Sequence, residues 1–78
     1  MTRIDFYERQ GCHLCDDALK VVLVEAAAAG AEVVRHDIDA SPELQARYGE
    51  LVPVVEIDGE QRSQWFVDAG RLRAALIH

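Results

Sequence analysis

The sequence predicts an α/β protein in which three helices flank a four-stranded mixed sheet, in the order β-α-β-α-β-β-α. The first observation is a strand, a long helix and a second strand within residues 4–38. The second is Asp58-Gly59 between two short strand patterns, which is typical of a β-hairpin. The third is a pair of helix-capping residues, Ser41 and Asp68, each placed before a helical segment. At this length we expect a single domain over residues 1–78.

The first half of the chain has the pattern of a right-handed βαβ unit. Residues 4–7 are a short strand with apolar and aromatic residues, and residues 8–11 are a polar loop that ends in glycine. Apolar residues at helical spacing then form two adjoining stripes over residues 12–29, and Gly30 ends the helix. Residues 32–38 are the second strand, which should run parallel to the first.

The second half of the chain predicts a helix, the hairpin and a last helix. Ser41, followed by a proline, favours a helix over residues 42–48 that ends at a glycine. Residues 53–57 and 60–65 are the two strands of the hairpin. Asp68 can cap the last helix. The apolar residues predicted for that helix are Leu72, Ala75, Leu76 and Ile77.

Composition and charge restrict the class of function. The 78 residues include fourteen acidic and eight basic ones, which gives a net charge of −6. Nucleic acid is not expected as a partner, because binding phosphates requires a clustered surface of Lys and Arg. The sequence has no secretory leader and no apolar run of about 20 residues, so we expect a cytoplasmic monomer with no membrane partner.

Both cysteines of the chain lie in Gly11-Cys12-His13-Leu14-Cys15, between the first strand and the first helix. A C-x-x-C at such a junction, in a chain expected in the cytoplasm, is typical of a redox pair. A structural zinc site instead takes four ligands, commonly a second C-x-x-C or a pair of histidines. The sequence has no third cysteine, and its three histidines do not form such a pair. We therefore predict a redox pair with no metal ligand and no cofactor.

We predict that Cys12 is the nucleophile and Cys15 the resolving cysteine. At a helix N-cap, free backbone N–H groups and the helix dipole stabilise a thiolate, and such sites lower a cysteine pKa to roughly 3.5–7.5. Arg9 and protonated His13 should lower the pKa of the Cys12 thiol further, whereas the two aspartates after Cys15 oppose this. Cys12 would attack a substrate disulfide, and Cys15 would resolve the mixed disulfide.

Two stretches resemble the glutaredoxin branch of the thioredoxin fold. Residues 6–15 are similar to the glutaredoxin stretch Y-[ST]-K-x-x-C-P-Y-C, with Arg9 at the basic position, and Leu51-Val52-Pro53 is similar to T-V-P, whose proline is cis. The resemblance covers nearly the whole chain and is strongest to a small bacterial glutaredoxin-like group. It implies dithiol–disulfide oxidoreductase activity, with Pro53 packed against the active disulfide. It also implies that Val52 offers its backbone to an extended substrate.

Three departures from the glutaredoxin pattern bear on the substrate. His13-Leu14 replaces Pro-Tyr, which removes the tyrosine that lines the glutathione groove in that family, and Leu51 replaces the threonine. Trp65 and Phe66 lie where glutaredoxins carry a Gly-Gly pair that glutathione approaches closely. Asp68 lies at a position like the family's acidic cap. We therefore expect a protein disulfide as substrate rather than a glutathione adduct, and the reductant, glutathione included, stays open.

Two assignments have competing interpretations. Trp65 and Phe66 would either form an apolar platform beside the dithiol for a protein partner, or pack at the edge of the core. Asp5 resembles the buried aspartate of thioredoxins, whose raised pKa would let it take the proton from Cys15. Its spacing to Cys12 is one residue longer than in thioredoxins, so we expect Asp5 on the solvated side or at the end of its strand.

Two other functions are alternatives to a redox enzyme. Thiolates from two chains would hold zinc or an iron–sulfur cluster between subunits if the protein is a metal carrier. A non-catalytic module of the same fold would instead dock a partner through Trp65, Phe66 and Val52. The sequence leaves open the physiological substrate, the reductant and the reduction potential.

Overall fold

The computed structural model describes residues 2–76, in which the helices and strands follow the predicted order. They are β1 (Arg3–Glu8), α1 (His13–Ala29), β2 (Glu32–Asp37), α2 (Pro42–Tyr48), β3 (Val54–Ile57), β4 (Glu60–Gln64) and α3 (Ala69–Leu76). Ile77, predicted for the last helix, lies outside the described residues, as does His78. Among residues 2–76, no helix combines the length and the apolar character needed to cross a membrane.

The four strands form one mixed sheet with the spatial order β2-β1-β3-β4. β1 and β2 are parallel, and the other two pairings are antiparallel. The hairpin between β3 and β4 turns at Asp58 and Gly59, whose φ angles of 51° and 87° are both positive, as a two-residue hairpin turn of this kind requires. This arrangement confirms the predicted α/β class, with a four-stranded mixed sheet and three helices.

Both ends of α1 are fixed by local sequence. Cys12 is the N-cap residue, in extended conformation, and its sulfur accepts the N–H of Cys15. Gly30 ends the helix with a φ of 68°, a left-handed conformation that costs glycine little. The Gly30 N–H donates to carbonyls of the last turn. The long helix therefore begins at the C-x-x-C motif, as predicted.

α1 and α3 cover one face of the sheet and build the larger core with it. The buried residues of this core are Ile4, Phe6, Ala18, Val22, Ala26, Val55, Ile57, Val67 and Leu72. Glu25 of α1 is also buried, and its carboxylate accepts two hydrogen bonds from the Arg73 guanidinium of α3. The two helices are thus joined both by apolar packing and by an ion pair.

α2 covers the opposite face with a smaller core of Ile38, Tyr48 and Val54. We predicted Ile38 as the last residue of β2, and this was wrong, because a 3₁₀ turn over Ile38–Ala40 follows the strand. Asp37 caps this turn by accepting the N–H of Asp39 at 2.9 Å. The turn redirects the chain into α2 while Ile38 stays fully buried.

Candidate active site

Cys12 and Cys15 form a disulfide at the start of α1, with their Cα atoms 5.2 Å apart. Cys12 is half-buried, whereas Cys15 is 1% exposed and lies on the inner side of the helix. The N–H of Cys15 donates to the sulfur of Cys12 at 3.1 Å. The same donor would stabilise a Cys12 thiolate when the pair is reduced, because hydrogen bonds to the charged form favour it. The structure therefore has one accessible and one sheltered sulfur.

The two residues predicted to lower the pKa of the Cys12 thiol have different surroundings. The Arg9 guanidinium donates to the carbonyl of Gly49 and to Asp39 Oδ1, each at 3.1 Å. These bonds tie the loop before Cys12 to the segment around α2. His13 is the first residue of α1 and is exposed. An influence of either residue on the thiol stays a prediction.

Asp5 is buried, at 8% exposure, which corrects the expectation that it lies on the solvated side. Because side chains alternate along β1, Asp5 faces α2 while Ile4 and Phe6 face α1. Its Oδ1 is 2.7 Å from Nε2 of His36 and also accepts two hydrogen bonds from the Arg3 guanidinium.

The surroundings of Asp5 do not suit it to accept a proton from Cys15. Burial raises its pKa, but the hydrogen bonds from His36 and Arg3, with the Arg3 charge, outweigh burial and hold the pKa below its usual range. The raised pKa that the resemblance to the thioredoxin aspartate implied for Asp5 is therefore not found. Cys15 lies on α1, across the sheet from the face that Asp5 occupies.

A polar cluster beside Asp5 is the main feature that sequence reasoning missed. Glu56 pairs with Asp5 across β1 and β3, and its carboxylate accepts the hydroxyls of Tyr7 and Tyr48. The Tyr7 ring stacks on His36 and Tyr48, with centroids 4.7 and 4.3 Å away. Burial first, and then the hydrogen bond to Glu56, raise the pKa of the Tyr48 hydroxyl. The alternation of Asp5 and Tyr7 with Ile4 and Phe6 was the available signal.

The segment before β3 lies beside this cluster and carries the predicted substrate-contacting residues. The Val52–Pro53 peptide bond is cis, and Pro53 is fully buried. Leu51 and Val52 are half-buried and pack on the small core around Tyr48. The N–H of Trp65 donates to the carbonyls of Leu51 and Pro53, at 3.1 and 3.0 Å. Within residues 2–76, no hydrogen bond uses the backbone groups of Val52.

Trp65 and Phe66 follow β4 and are exposed at 53% and 71%. Packing at the edge of the core, one of the two interpretations of these residues, therefore does not account for their exposure. Together with Leu14 of the C-x-x-C motif they line a groove of about 140 Å³. Asp68 accepts the N–H of Arg71 at 2.8 Å and so caps α3, as predicted. Among residues 2–76, no group of three or more His, Cys, Asp and Glu side chains is arranged to hold a metal ion.

The sheet, the helices and the dithiol at the start of α1 together define a protein of the thioredoxin fold. Protein XcR50 from X. campestris is 37% identical, with a TM-score of 0.74 over 94% of this chain and 93% of that one. Protein Ne2328 from Nitrosomonas europaea is 26% identical, with a TM-score of 0.73 over 95% and 89%. A mutant thioredoxin from Halobacterium salinarum is 25% identical, with a TM-score of 0.74 over 96% and 71%.

Within this fold class the chain belongs to the glutaredoxin-like family. The family described as Glutaredoxin-like domain (DUF836) matches residues 3–77. An uncharacterised protein of Mycobacterium tuberculosis is 31% identical over 79 residues, which cover 95% of this chain and 81% of that protein. The resemblance inferred from the C-x-x-C and Val52-Pro53 stretches is thereby confirmed.

Proposed function

We propose that this protein is a dithiol–disulfide oxidoreductase that acts on protein disulfides. The observation that carries the proposal is the asymmetry of the C-x-x-C pair. Cys12 is accessible at a helix N-cap and accepts a backbone N–H, whereas Cys15 is buried one turn along the helix. A nucleophilic thiolate needs access and stabilisation, while a resolving thiol needs only to reach the first sulfur.

The reaction runs in two exchanges. The Cys12 thiolate attacks one sulfur of the substrate disulfide, which breaks the substrate S–S bond and releases one substrate thiolate that takes a proton from water. Cys15 loses its proton to water, and its thiolate attacks the Cys12 sulfur of the mixed disulfide. This breaks the bond between Cys12 and the substrate and releases the second substrate thiolate, which takes up a proton. The substrate gains two electrons, and the Cys12–Cys15 disulfide forms. A dithiol or glutathione reductant must reduce that disulfide before the next cycle.

The segment around Pro53 would hold the substrate chain. The Val52 N–H and C=O make no hydrogen bond within residues 2–76. They suit an extended peptide that adds alongside the segment, because main-chain hydrogen bonds need no particular side chain. Leu51, Trp65 and Phe66 would flank that peptide, and Asp68 lies beyond them. Two large aromatic side chains across the groove from Leu14 leave less room for the close backbone approach of glutathione than a Gly-Gly pair would. This supports a protein substrate.

The proposed activity suits the cytoplasm. Thiols are kept reduced there, so the resting protein would be a dithiol ready to attack. The net charge of −6 and the exposed aromatic residues fit a single-chain protein that binds neutral or basic protein partners transiently.

Replacing each cysteine in turn tests the proposal. With a disulfide-bonded protein such as insulin and dithiothreitol as reductant, the wild type should accelerate reduction. Cys12→Ser should abolish this turnover, because no other thiol of the chain is accessible. Cys15→Ser should accumulate a mixed disulfide between Cys12 and the substrate, detected as added mass in mass spectrometry under non-reducing conditions.

The same experiment separates the alternatives. Turnover that survives Cys12→Ser contradicts the oxidoreductase. A coloured dimer that loses its absorbance when either cysteine is replaced would instead indicate a shared iron–sulfur cluster. Partner binding that is unchanged when both cysteines are replaced, in a protein without turnover, would indicate a docking module.

A further inference from the structure

We propose that the substrate chain places an apolar side chain, next to a lysine or arginine, in the groove on one side of the dithiol. This inference rests on the proposed function and names its substrate class. The groove, called here the aromatic groove, lies between α1 and the segment after β4. It is lined by Leu14, Asp17, Ala18, Val21, Trp65, Phe66 and the buried Val67.

The aromatic groove is mainly apolar and reaches Leu14 of the C-x-x-C motif. Leu14 lies between the two cysteines in sequence and is 53% exposed, and Trp65 and Phe66 are exposed to a similar or larger extent. Three large apolar side chains exposed together mark a site for a partner rather than ordinary surface. A volume of about 140 Å³ is close to that of a cavity that holds one benzene-sized group, so one apolar side chain of the substrate fits.

Trp65 is a fixed wall of this groove. Its N–H is shared between the carbonyls of Leu51 and Pro53, and its indole Nε1–H donates to the Glu50 carbonyl at 2.7 Å. Its φ of 64° is unusual for a bulky residue, so these bonds hold a conformation that the chain would not adopt alone. A wall that is already ordered loses little entropy on binding, which favours affinity for the apolar side chain.

Charge adds the second element of selectivity. Among residues 2–76, Asp17 is the only charged residue that lines the aromatic groove, and no salt bridge neutralises it. The chain as a whole carries a net charge of −6. A substrate cation next to the apolar side chain would therefore be attracted to the rim of the groove.

The groove on the other side of the dithiol is polar rather than apolar. It includes Glu8, Arg9, Asp16 and Arg35. Both arginines are already paired, Arg35 with Glu8 at 2.6 Å and Arg9 with Asp39 at 3.1 Å. That groove offers no apolar surface comparable to Trp65 and Phe66. Asp16 and Asp17 are adjacent in sequence but line opposite grooves, which makes them a matched pair for testing.

A single-turnover experiment with symmetric peptides tests the inference. The probes are the homodimeric disulfides of Lys-Leu-Cys-Leu-Lys, Glu-Leu-Cys-Leu-Glu and Lys-Gly-Cys-Gly-Lys, with blocked ends. Pre-reduced protein supplies both electrons, so no other reductant is needed. The reaction is followed by the fluorescence of Trp65, the one tryptophan of the chain. Each rate constant is divided by the rate constant for bis(2-hydroxyethyl) disulfide, a small disulfide that corrects for changes in the reactivity of the thiol itself.

The three probes are called the Leu-Lys, Leu-Glu and Gly-Lys peptides, after the residues that flank their cysteine. We expect the Leu-Lys peptide to react about tenfold faster than the Gly-Lys peptide, because the groove removes the leucine side chain from water. Phe66→Ala should remove most of that preference, and circular dichroism should show the fold retained because Phe66 is exposed. The preference for Leu-Lys over Leu-Glu should fall about two- to fivefold in Asp17→Asn. Asp16→Asn should leave that preference as in the wild type.

Two results would overturn the inference alone. One is equal rates for the Leu and Gly peptides while the small disulfide still reacts. The other is an equal change in charge preference in Asp16→Asn and Asp17→Asn, which would indicate net charge rather than a groove. Failure of every disulfide, the small one included, would contradict the oxidoreductase proposal and this inference with it.

Discussion

On the face of the sheet that carries α1 and α3, Ile4, Phe6 and the alternate residues of β3 pack against apolar helix residues. On the face that carries α2, the intervening residues of the same strands include the polar Asp5, Tyr7 and Glu56 beside the apolar Val54. Their polar groups are satisfied by Arg3, His36 and Tyr48. Among residues 2–76, no buried side-chain N or O atom is without a hydrogen-bond partner.

This contrast shows that the two faces contribute differently to the candidate site. The apolar face fixes α1, and with it both cysteines, by packing. The polar face ties Tyr48, at the end of α2, to β1 and β3 by directional bonds. Tyr48 closely precedes the segment that contains Val52 and Pro53. The polar cluster therefore positions the segment proposed to hold substrate.

The largest effect is expected from the apolar face. Phe6→Ala should lower the free energy of unfolding by about 3–5 kcal/mol, because it leaves a cavity in a fully buried position. Urea denaturation followed by circular dichroism measures the loss. Phe66→Ala is the matched control, because the same side chain is 71% exposed there and its removal should change stability by less than about 0.5 kcal/mol. Equal losses for the two variants would contradict the described core.

An intermediate effect is expected from the polar face. Tyr48→Phe keeps the ring but removes the hydroxyl that donates to Glu56, so the free energy of unfolding should fall by about 1–3 kcal/mol. KM for a protein disulfide should rise more than kcat falls, because the bond positions the Val52 segment. Tyr7→Phe, whose bond to the same carboxylate is 3.2 Å long, should have the smaller effect on both quantities. An unchanged KM in Tyr48→Phe would argue against the positioning role.

The smallest effect is a pH dependence that arises from Asp5. Its folded-state pKa lies below that of the unfolded chain, so its ion pair stabilises the fold fully at pH values above the unfolded pKa. This stabilisation should be lost as the pH falls below about 4 and passes through the folded-state pKa. Asp5→Asn should flatten the acid limb of a plot of unfolding free energy against pH.

Glu25→Gln gives the corresponding pH dependence for a buried carboxylate on the face of the sheet that carries α1 and α3. The Arg73 hydrogen bonds lower the pKa of Glu25 against the opposing effect of burial, so this variant should also flatten the acid limb. Because Asp5 and Glu25 do not share partners, the two effects should add. An acid limb that is the same in wild type and Asp5→Asn would contradict the burial and pairing of Asp5.

The sequence alone predicted those features of the fold that are determined by residues close together in the chain. The Cys12 cap, the Gly30 end of α1 and the Asp58-Gly59 turn are local features with known geometry. The packing of Pro53 against the dithiol is implied by the resemblance alone and stays a prediction. Exposure of Trp65 and Phe66 was one of two interpretations that the sequence left open.

The remaining features depend on contacts between residues far apart in the chain. The alternation of Asp5 with Ile4 and Phe6 assigns it to the opposite face, but whether that face is covered depends on where α2 packs. His36 reaches Asp5 because β2 is parallel to β1 in a particular register, which strand patterns do not specify. The same applies to Glu56, which lies opposite Asp5 only once β3 pairs with β1.

The reduction potential of the Cys12–Cys15 pair tests most directly the central claim that this dithiol is a reversible redox couple. The protein would be equilibrated in glutathione buffers of known potential and the oxidised fraction read by mass spectrometry after alkylation. We predict a reversible two-electron couple between about −270 and −200 mV, the range of thioredoxin and the glutaredoxins. A potential below about −300 mV, or a pair that never forms a disulfide, would contradict the account.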